Sequence, residues 1–477
     1  MRVVFTDIED IVSQVSRDIG NGSRFACLLG IPSQDVDQLI VAVTVSPGGE
    51  YRLMQSTSPR NTIYPSLVDT VPSADWYEHK LAEQCGIYAD GHRMGKDIFL
   101  NGHNVAKSSR SATGDGLFIL HYGPVRSGVV ETIEYELHTP GEDIPLMVVH
   151  PGYKHRGMEA RMVGESVYKA VHLAERVEGV ATVAHALAFS LAVESLSGIA
   201  IPFRAWMLRI VHAELERIAD HLKVAVLLAE AAGLAVANAR FSYELEVVQQ
   251  LRGALCGSRF SRGVVVPGGV TVPLPSLKNM ASRVMRIRDL IYDDAVEAMS
   301  TPSFIDRIRH AGRLSADLAR EWGAVGILAR GSSIGIDTRS FESSPYAQPY
   351  RDVGYRDKRL SEGCDSLARQ QVRWEEVWDS FSMIESALDL LDESTDDRDW
   401  RVPVPDCSGM ALGTFEAPQG ECLYLVKMFN GKVVGCSIRS ASFHNLQLFP
   451  MMFGGDIFTD FAFNEASIEI SAAGASL

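Results

Sequence analysis

The chain has 477 residues, 46% of them hydrophobic and 22% charged, with 45 basic against 60 acidic side chains and a net charge of −15. A domain usually takes about 100–200 residues, so two or three are expected, in a packed globular protein with no room for a large disordered region. So acidic a chain repels phosphate backbones, which argues against nucleic acid as a partner, and it repels anionic lipid unless another subunit mediates.

In chain order, the start shows no secretory signal, because Met1 to Phe5 runs into Asp7, Glu9 and Asp10 without an apolar core of signal length. Residues 25–29 and 39–45 are apolar runs of strand length, and residues 73–84 read as a short helix. An α+β domain over residues 1–105 follows from this mixture. Small polar residues and glycine fill residues 106–116, which mark a linker. Residues 117–121 and 129–138 read as strands. From Lys154 the chain turns helical, with 3.6-residue periodicity over 159–174, 183–196, 205–232, 243–251, 276–298 and 371–391. A glycine- and proline-rich loop at 264–275 interrupts it; its Val266-Pro267-Gly268-Gly269-Val270 lacks the phosphate-loop spacings and is read as a turn. Strand-like alternation returns at 421–438. Residues 117–477 are thus expected to form a mainly α domain, a helical bundle with flanking short strands.

Two apolar stretches approach the ~20 residues of a membrane span. Residues 181–203 carry His185 and Glu194, and residues 222–239 carry Lys223 and Glu230. A central charge costs at least ~2.5 kcal/mol on insertion scales, so both are expected to be buried helices. The seven cysteines (27, 85, 256, 364, 407, 422 and 436) form no C-x-x-C pair. That excludes a cysteine-rich zinc or iron–sulfur site, and the odd, dispersed count fits a reducing compartment.

Several strings carry a resemblance. Tyr64-Pro65-Ser66-Leu67-Val68-Asp69, Trp76-Tyr77-Glu78, Gly86-Ile87 and Gly91-His92 resemble the small hydrophilic subunit of complex I. Tyr153-Lys154-His155-Arg156-Gly157-Met158-Glu159, Ala174-Glu175-Arg176-Val177-Glu178-Gly179 and the run from Ala213 to His221 resemble the large subunit of nickel–iron hydrogenases and complex I. The order continues through Gly257-Ser258-Arg259, Val266 to Val270, Arg330-Gly331, Glu416-Ala417-Pro418-Gln419-Gly420-Glu421 and Cys436 to Leu446. The fused arrangement looks like the large subunit of formate hydrogenlyase-type and hydrogenase-4-type complexes. The resemblance implies a hydrogenase large-subunit-like helical bundle, and an oxidoreductase-complex subunit on the cytoplasmic side of a membrane. It also implies an iron–sulfur small subunit, a ferredoxin-like subunit, and antiporter-like and quinone-module-like membrane subunits as partners.

The resemblance also exposes what is missing. In nickel–iron hydrogenases two C-x-x-C pairs hold the metal; here these positions are Glu178, Ala181, Ser471 and Gly474. One carboxylate and one hydroxyl do not replace four soft thiolates, so no metal is expected on this chain, and iron–sulfur clusters are expected only in partner subunits. Gln419 stands where the family usually has arginine or lysine. The quinone-contacting tyrosine of complex I falls on Gly179, and the histidine loop shortens to residues 123–128, so the family's quinone contacts are absent while quinone itself stays open as a ligand.

The residues expected around the vacated position are Glu159, whose counterpart carries protons in hydrogenases, together with Glu178, His185, Glu469, His155, Arg156 and Arg176. Glu178, Ala181 and His185 are spaced i, i+3 and i+7, as on one helix face. Three carboxylates converging with two histidines and arginines hold an exchangeable proton, with burial raising the carboxyls and the arginines opposing. That gives a proton-coupling or quinone-like pocket beside an iron–sulfur subunit. The alternative is a purely structural scaffold between that subunit and the membrane arm, with Arg176 and Glu178 as bundle ion-pair partners, His185 as a satisfied core histidine, and Arg217 and His221 as structural.

Overall fold

The computed structural model describes residues 2–33, 37–91, 116–126, 131–272, 277–356, 361, 363–393 and 400–477. The linker at 106–116, except Gly116, lies outside them, as do His92 and residues 127–128 of the shortened loop.

The N-terminal unit comprises β1 (Arg2–Phe5), α1 (Ile8–Gly20), β2 (Arg24–Ile31), β3 (Asp37–Val45), β4 (Tyr51–Pro59), β5 (Ile63–Pro65), α2 (Asp75–Cys85) and β6 (Tyr88–Asp90). Its main sheet has the order β1-β4-β3-β2, antiparallel except for the parallel β1–β4 pair. Strands β2 and β3 are apolar nearly throughout because both faces are covered: α1 packs on the sheet, and α2 and a strand of the second unit pack on β2.

The second unit opens with the sheet β7 (Phe118–Tyr122), β8 (Glu134–Thr139) and β9 (Leu146–His150). The periodic run at 159–174 is two helices, α3 (Met158–Met162) and α4 (Val167–Ala174), separated at Gly164 with φ +89°. Then come α5 (Thr182–Ser197), α6 (Phe203–Ala231), α7 (Ala235–Cys256), the hairpin β10 (Val265–Val266) and β11 (Gly269–Val270), and α8 (Leu277–Met299). Short helices α9 (Pro302–Ile308), α10 (Ala316–Glu321), α11 (Gly326–Arg330) and α12 (Ala347–Asp352) lead to the long α13 (Ser366–Glu393). The meander β12 (Gly409–Ala417), β13 (Gly420–Phe429) and β14 (Lys432–Arg439) follows, then α14 (Ala441–Asn445), α15 (Phe461–Ile468) and α16 (Ala472–Ser476).

Helix α6 is the axis of the bundle, packed by α7, α13 and α15. Helix α5 lies so close on β12 that a Cβ at Gly413 would sit 2.0 Å from the Ala188 carbonyl oxygen. The charges that interrupt the two apolar stretches are largely paired. Glu194 meets Arg209, which also donates to the carbonyls of Val266 and Gly269 and ties down the hairpin. Lys223 meets Glu469. Among the described residues no helix is long and apolar enough to cross a membrane.

Glu214, Arg217, His221, Arg330 and Glu416 from the quoted strings join Asp337 and Glu376 in a buried charge network. Arg330 lies 2.7 Å from Glu376, 2.9 Å from Glu416 and 3.3 Å from Asp337. Arg217 pairs with Glu214 at 3.1 Å and donates to the carbonyls of Glu416 and Ala417. His221 Nε2 lies 3.1 Å from Glu376, and burial pushes its imidazole down to about 4, so it is neutral and donates from that nitrogen. Such a network is costly to break, because removing one partner leaves the others buried and uncompensated.

Candidate functional site

The structure distributes the expected residues over three neighbouring clusters instead of one cavity. The reason is local. Helix α5 begins at Thr182 with Ala181 as its N-cap, so Glu178 belongs to the preceding loop and shares no helix face with His185. Glu216 of α6 accepts from the backbone N–H groups of Val183 and Ala184 at 2.7 and 3.0 Å and anchors the helix start. Arg156 donates to the carbonyl of Val177 and holds the loop, and burial lowers its pKa against the pull of Glu178 and Glu131.

The first cluster lies at the positions that the resemblance aligns with metal ligands. Glu178 reaches His185 Nε2 at 2.8 Å, and His185 Nδ1 lies 2.7 Å from the Tyr424 hydroxyl and 3.5 Å from Cys422 Sγ. Burial alone would push His185 down, but Cys422 and Glu178 outweigh it and hold the imidazole at about 10. It is therefore a cation, donating from both nitrogens. The other Glu178 oxygen accepts from Ser442 Oγ at 3.3 Å, and that hydroxyl accepts from the Ser471 N–H at 3.1 Å. A Cβ built on Gly474 would stand 2.0 Å from Glu178 Oε2, so two of the four positions touch directly. Ser471 Oγ accepts from the Gly474 N–H at 3.3 Å as the N-cap of α16.

Glu159 lies apart, in a cluster shared with the N-terminal unit. Lys80 of α2 donates to Glu159 Oε1 at 2.7 Å and to the Ile438 carbonyl at 3.0 Å, while Gln84 donates to Oε2 at 2.6 Å. The Ile438 N–H also donates to Oε1 at 2.6 Å. Glu159 is saturated by fixed donors, two of them from the other unit.

Glu469 belongs to the third cluster, with Lys223 at 3.2 Å from Oε1, and its charge acts on Asp220. Gln419 donates to Asp220 Oδ1 at 2.9 Å. Burial and Glu469 raise Asp220 well above the ordinary carboxyl range, against Lys223 and Arg373. Glu469 itself sits at φ +49°, a left-handed backbone that costs a non-glycine residue about 1–3 kcal/mol and marks a constrained position.

Two expected members contribute to none of these. Arg176 is half-exposed and pairs with Glu175 and the His172 carbonyl instead of with Glu159, Glu178 or Glu469. His155 Nδ1 donates to the Ser476 carbonyl at 2.8 Å and braces α16. The periodicity reading missed Tyr424, Cys422, Ser442, Lys80, Gln84, Asp220 and Arg373 as members. A signal existed for Asp220, an ionisable residue just before an apolar helix stretch, and for Lys223 inside it; Lys80 and Gln84 lie in another unit, and nothing local points to them.

Comparison with known proteins gives two family matches. Residues 4–108 match the respiratory-chain NADH dehydrogenase 30 Kd subunit, and residues 237–410 match the respiratory-chain NADH dehydrogenase 49 Kd subunit. The carbon monoxide-induced hydrogenase of Rhodospirillum rubrum is 28% identical, over 65% of this chain and 85% of that one. Formate hydrogenlyase subunit 5 of Escherichia coli (strain K12) is 27% identical, over 83% of this chain and 74% of that one. The C/D subunit of NADH-quinone oxidoreductase from Acinetobacter baylyi is 22% identical, over 93% of this chain and 85% of that one.

Proposed function

We propose, from the premise that this chain belongs to the complex I and hydrogenase large-subunit superfamily and joins a 30 Kd-type to a 49 Kd-type unit, that it serves in the peripheral arm of a membrane-bound redox complex as a proton-handling subunit without a nickel–iron centre. The observation that carries this reading is the Glu178–His185–Tyr424 chain packed against Gly474. The donors do not fit the metal: Glu178 is committed to an imidazolium, Ser471 Oγ to a helix cap, and Ala181 and Gly474 offer no donor atom. Charged, hydrogen-bonded groups in a low-dielectric core respond to a nearby change of charge by moving protons, and this is how electron arrival at a partner's iron–sulfur cluster would be felt here. The partners proposed are an iron–sulfur small subunit, a ferredoxin-like subunit, and antiporter-like and quinone-module-like membrane subunits, on the cytoplasmic face. Quinone stays open as a ligand of the complex.

The test is affinity purification of the tagged chain from membranes, with assay of the assembled complex carrying Glu178→Gln. Assembly with normal electron transfer but lost proton coupling is expected; full coupling removes the role. Metal analysis of the isolated chain is expected to find no stoichiometric nickel, and stoichiometric nickel overturns the reading.

A scaffold role is the second reading. It is favoured by Glu159, which fixed donors from both units hold in place. Under it, pocket substitutions leave coupling intact and only interface substitutions disrupt assembly.

A further inference from the structure

We propose that Glu136, His138 and His150 form a proton-binding site on the sheet β7-β8-β9, with one proton shared between two imidazoles across one carboxylate. Side chains alternate between the two faces of strand β8. Tyr135 and Leu137 are fully buried, and the Tyr135 ring packs on Phe449 and Phe461. Glu134, Glu136 and His138 therefore line the other face. On that face Glu134 stands opposite His150 of β9, and Glu136 stands opposite His121 of β7. His138 Nε2 lies 2.9 Å from Glu136 Oε1, and His150 Nε2 lies 3.4 Å from Glu136 Oε2. Each carboxylate oxygen thus has its own imidazole.

The charges around Glu136 call for that proton. The Glu136, His138 and His150 side chains are 7%, 3% and 11% exposed. A carboxylate so buried is costly unless a cation or a proton compensates it. Among the described residues the two imidazoles are the only ion-pair partners of Glu136, and no lysine or arginine reaches it. Glu134, the second carboxylate on this face, lies 2.9 Å from His121 Nδ1 and accepts from the Tyr153 hydroxyl; its charge also favours a protonated triad. Lys154, next to Tyr153, lies 3.3 Å from Glu131 instead. The 3₁₀ segment Leu446–Phe453, which packs on β9, carries no titratable side chain. One proton gives an imidazolium, a carboxylate and a neutral imidazole, which balance. None leaves a bare buried carboxylate, and two leave an excess positive charge.

Imidazole is the side chain suited to proton exchange near neutral pH. Uptake forms an N–H bond on one ring and release breaks it, with the proton passing from or to water; no electron moves and no other reactant enters. His150 is the most exposed of the three and makes the contact with water. His121, 56% exposed on the edge strand and opposite Glu136, extends titratable side chains across the face to solvent. A metal ion is the other ligand that such residue types suggest. Among the described residues no three histidine, cysteine, aspartate or glutamate side chains converge as a metal site needs, which favours the proton.

The site rests on the proton-handling function for its role in the complex, but the shared proton is tested on the chain alone. The probe is nuclear magnetic resonance of the purified full chain with ¹³C-labelled histidine rings, titrated with acid and base. Signals are assigned by their loss in His138→Asn and His150→Asn. In the wild type both rings are expected to follow the same two steps, since the titration belongs to the pair. His150→Asn is expected to leave His138 a single step. Glu136→Gln, near-isosteric, is expected to make both rings titrate at least about one pH unit lower, because the carboxylate that favours the imidazolium is gone. Circular dichroism checks the fold of each variant, and His150→Asn decides alone if Glu136→Gln misfolds. Independent curves in the wild type, a His138 curve unchanged by His150→Asn, or curves left in place by Glu136→Gln overturn the site. In the assembled complex, coupling lost with Glu136→Gln supports the site and its role. Coupling unchanged while the histidine curves shift supports the proton site and overturns its part in proton handling, whatever Glu178→Gln shows.

Discussion

His185 donates from both ring nitrogens into a wholly buried setting, so its charge contributes to stability through linkage. Its folded pKa, about 10, lies above the ordinary 6.5. A group raised on folding contributes stability fully below its unfolded pKa and loses it as pH rises through the folded one. The denaturation midpoint of the wild type is therefore expected to fall as pH climbs from 6.5 toward about 10, and His185→Gln is expected to lack that slope. A slope shared by both proteins would assign it to other groups. The neighbouring contact yields a second test. At Gly474 a methyl group would stand 2.0 Å from Glu178 Oε2. Gly474→Ala is expected to destabilise by about 1–3 kcal/mol, the usual cost of overpacking. Glu178→Ala made in the same chain is expected to recover part of it, so the two changes are non-additive in a double-mutant cycle. Strict additivity would place the two residues out of contact.

At the scale of elements, periodicity located the helices well where one face is apolar. The run at 183–196 is α5, Thr182–Ser197, and 205–232 is α6, Phe203–Ala231. It failed where a turn hides inside an apparent period, as at Gly164 between α3 and α4. Helix α1 and strand β4 were not anticipated; β4 has buried serines and a methionine among its residues, so apolarity alone does not mark it. The expected site residues were legible as residue types, but their grouping was not, since it depends on where α5 starts and on contacts across hundreds of residues. The charged residues of α6, α11 and α13 show the same limit. Arg330 neutralises Glu376, Glu416 and Asp337 together. Arg330→Met is expected to cost ~3–5 kcal/mol in unfolding experiments, because it leaves buried carboxylates uncompensated. Burial alone would raise Glu376, but Arg330, His221 and Arg217 hold it well below the ordinary carboxylate range. Stability from such a group is present above the unfolded carboxyl pKa and is lost as pH falls, so the variant is expected to show a flatter acid limb. An unchanged acid limb would show that Arg330 is not what holds Glu376 ionised.

Across the whole molecule, the two units are joined by buried charge and not by apolar packing alone. Arg24 on β2 and Tyr51 on β4 both reach Glu421, at 2.8 and 2.5 Å, and Arg439 lies 3.2 Å from the same carboxylate. Tyr77 donates to His444 Nδ1 at 2.8 Å, while His444 Nε2 donates to the carbonyls of Trp322 and Gly323. Lys80 enters the second unit to meet Glu159, so a residue whose family counterpart moves protons is here closed by the fused unit. A buried carboxylate that loses its ammonium keeps only neutral donors, which compensate its charge poorly. Lys80→Met is therefore expected to destabilise the full chain by ~3–5 kcal/mol and to split a single unfolding transition into two. Adding Glu159→Gln removes the orphaned charge and is expected to recover most of the loss. Recovery without any change in coupled activity of the assembled complex would assign Glu159 to the joint between units. Coupling lost with Glu159→Gln alone, while the single transition persists, would show that this carboxylate still takes part in moving protons despite its closure.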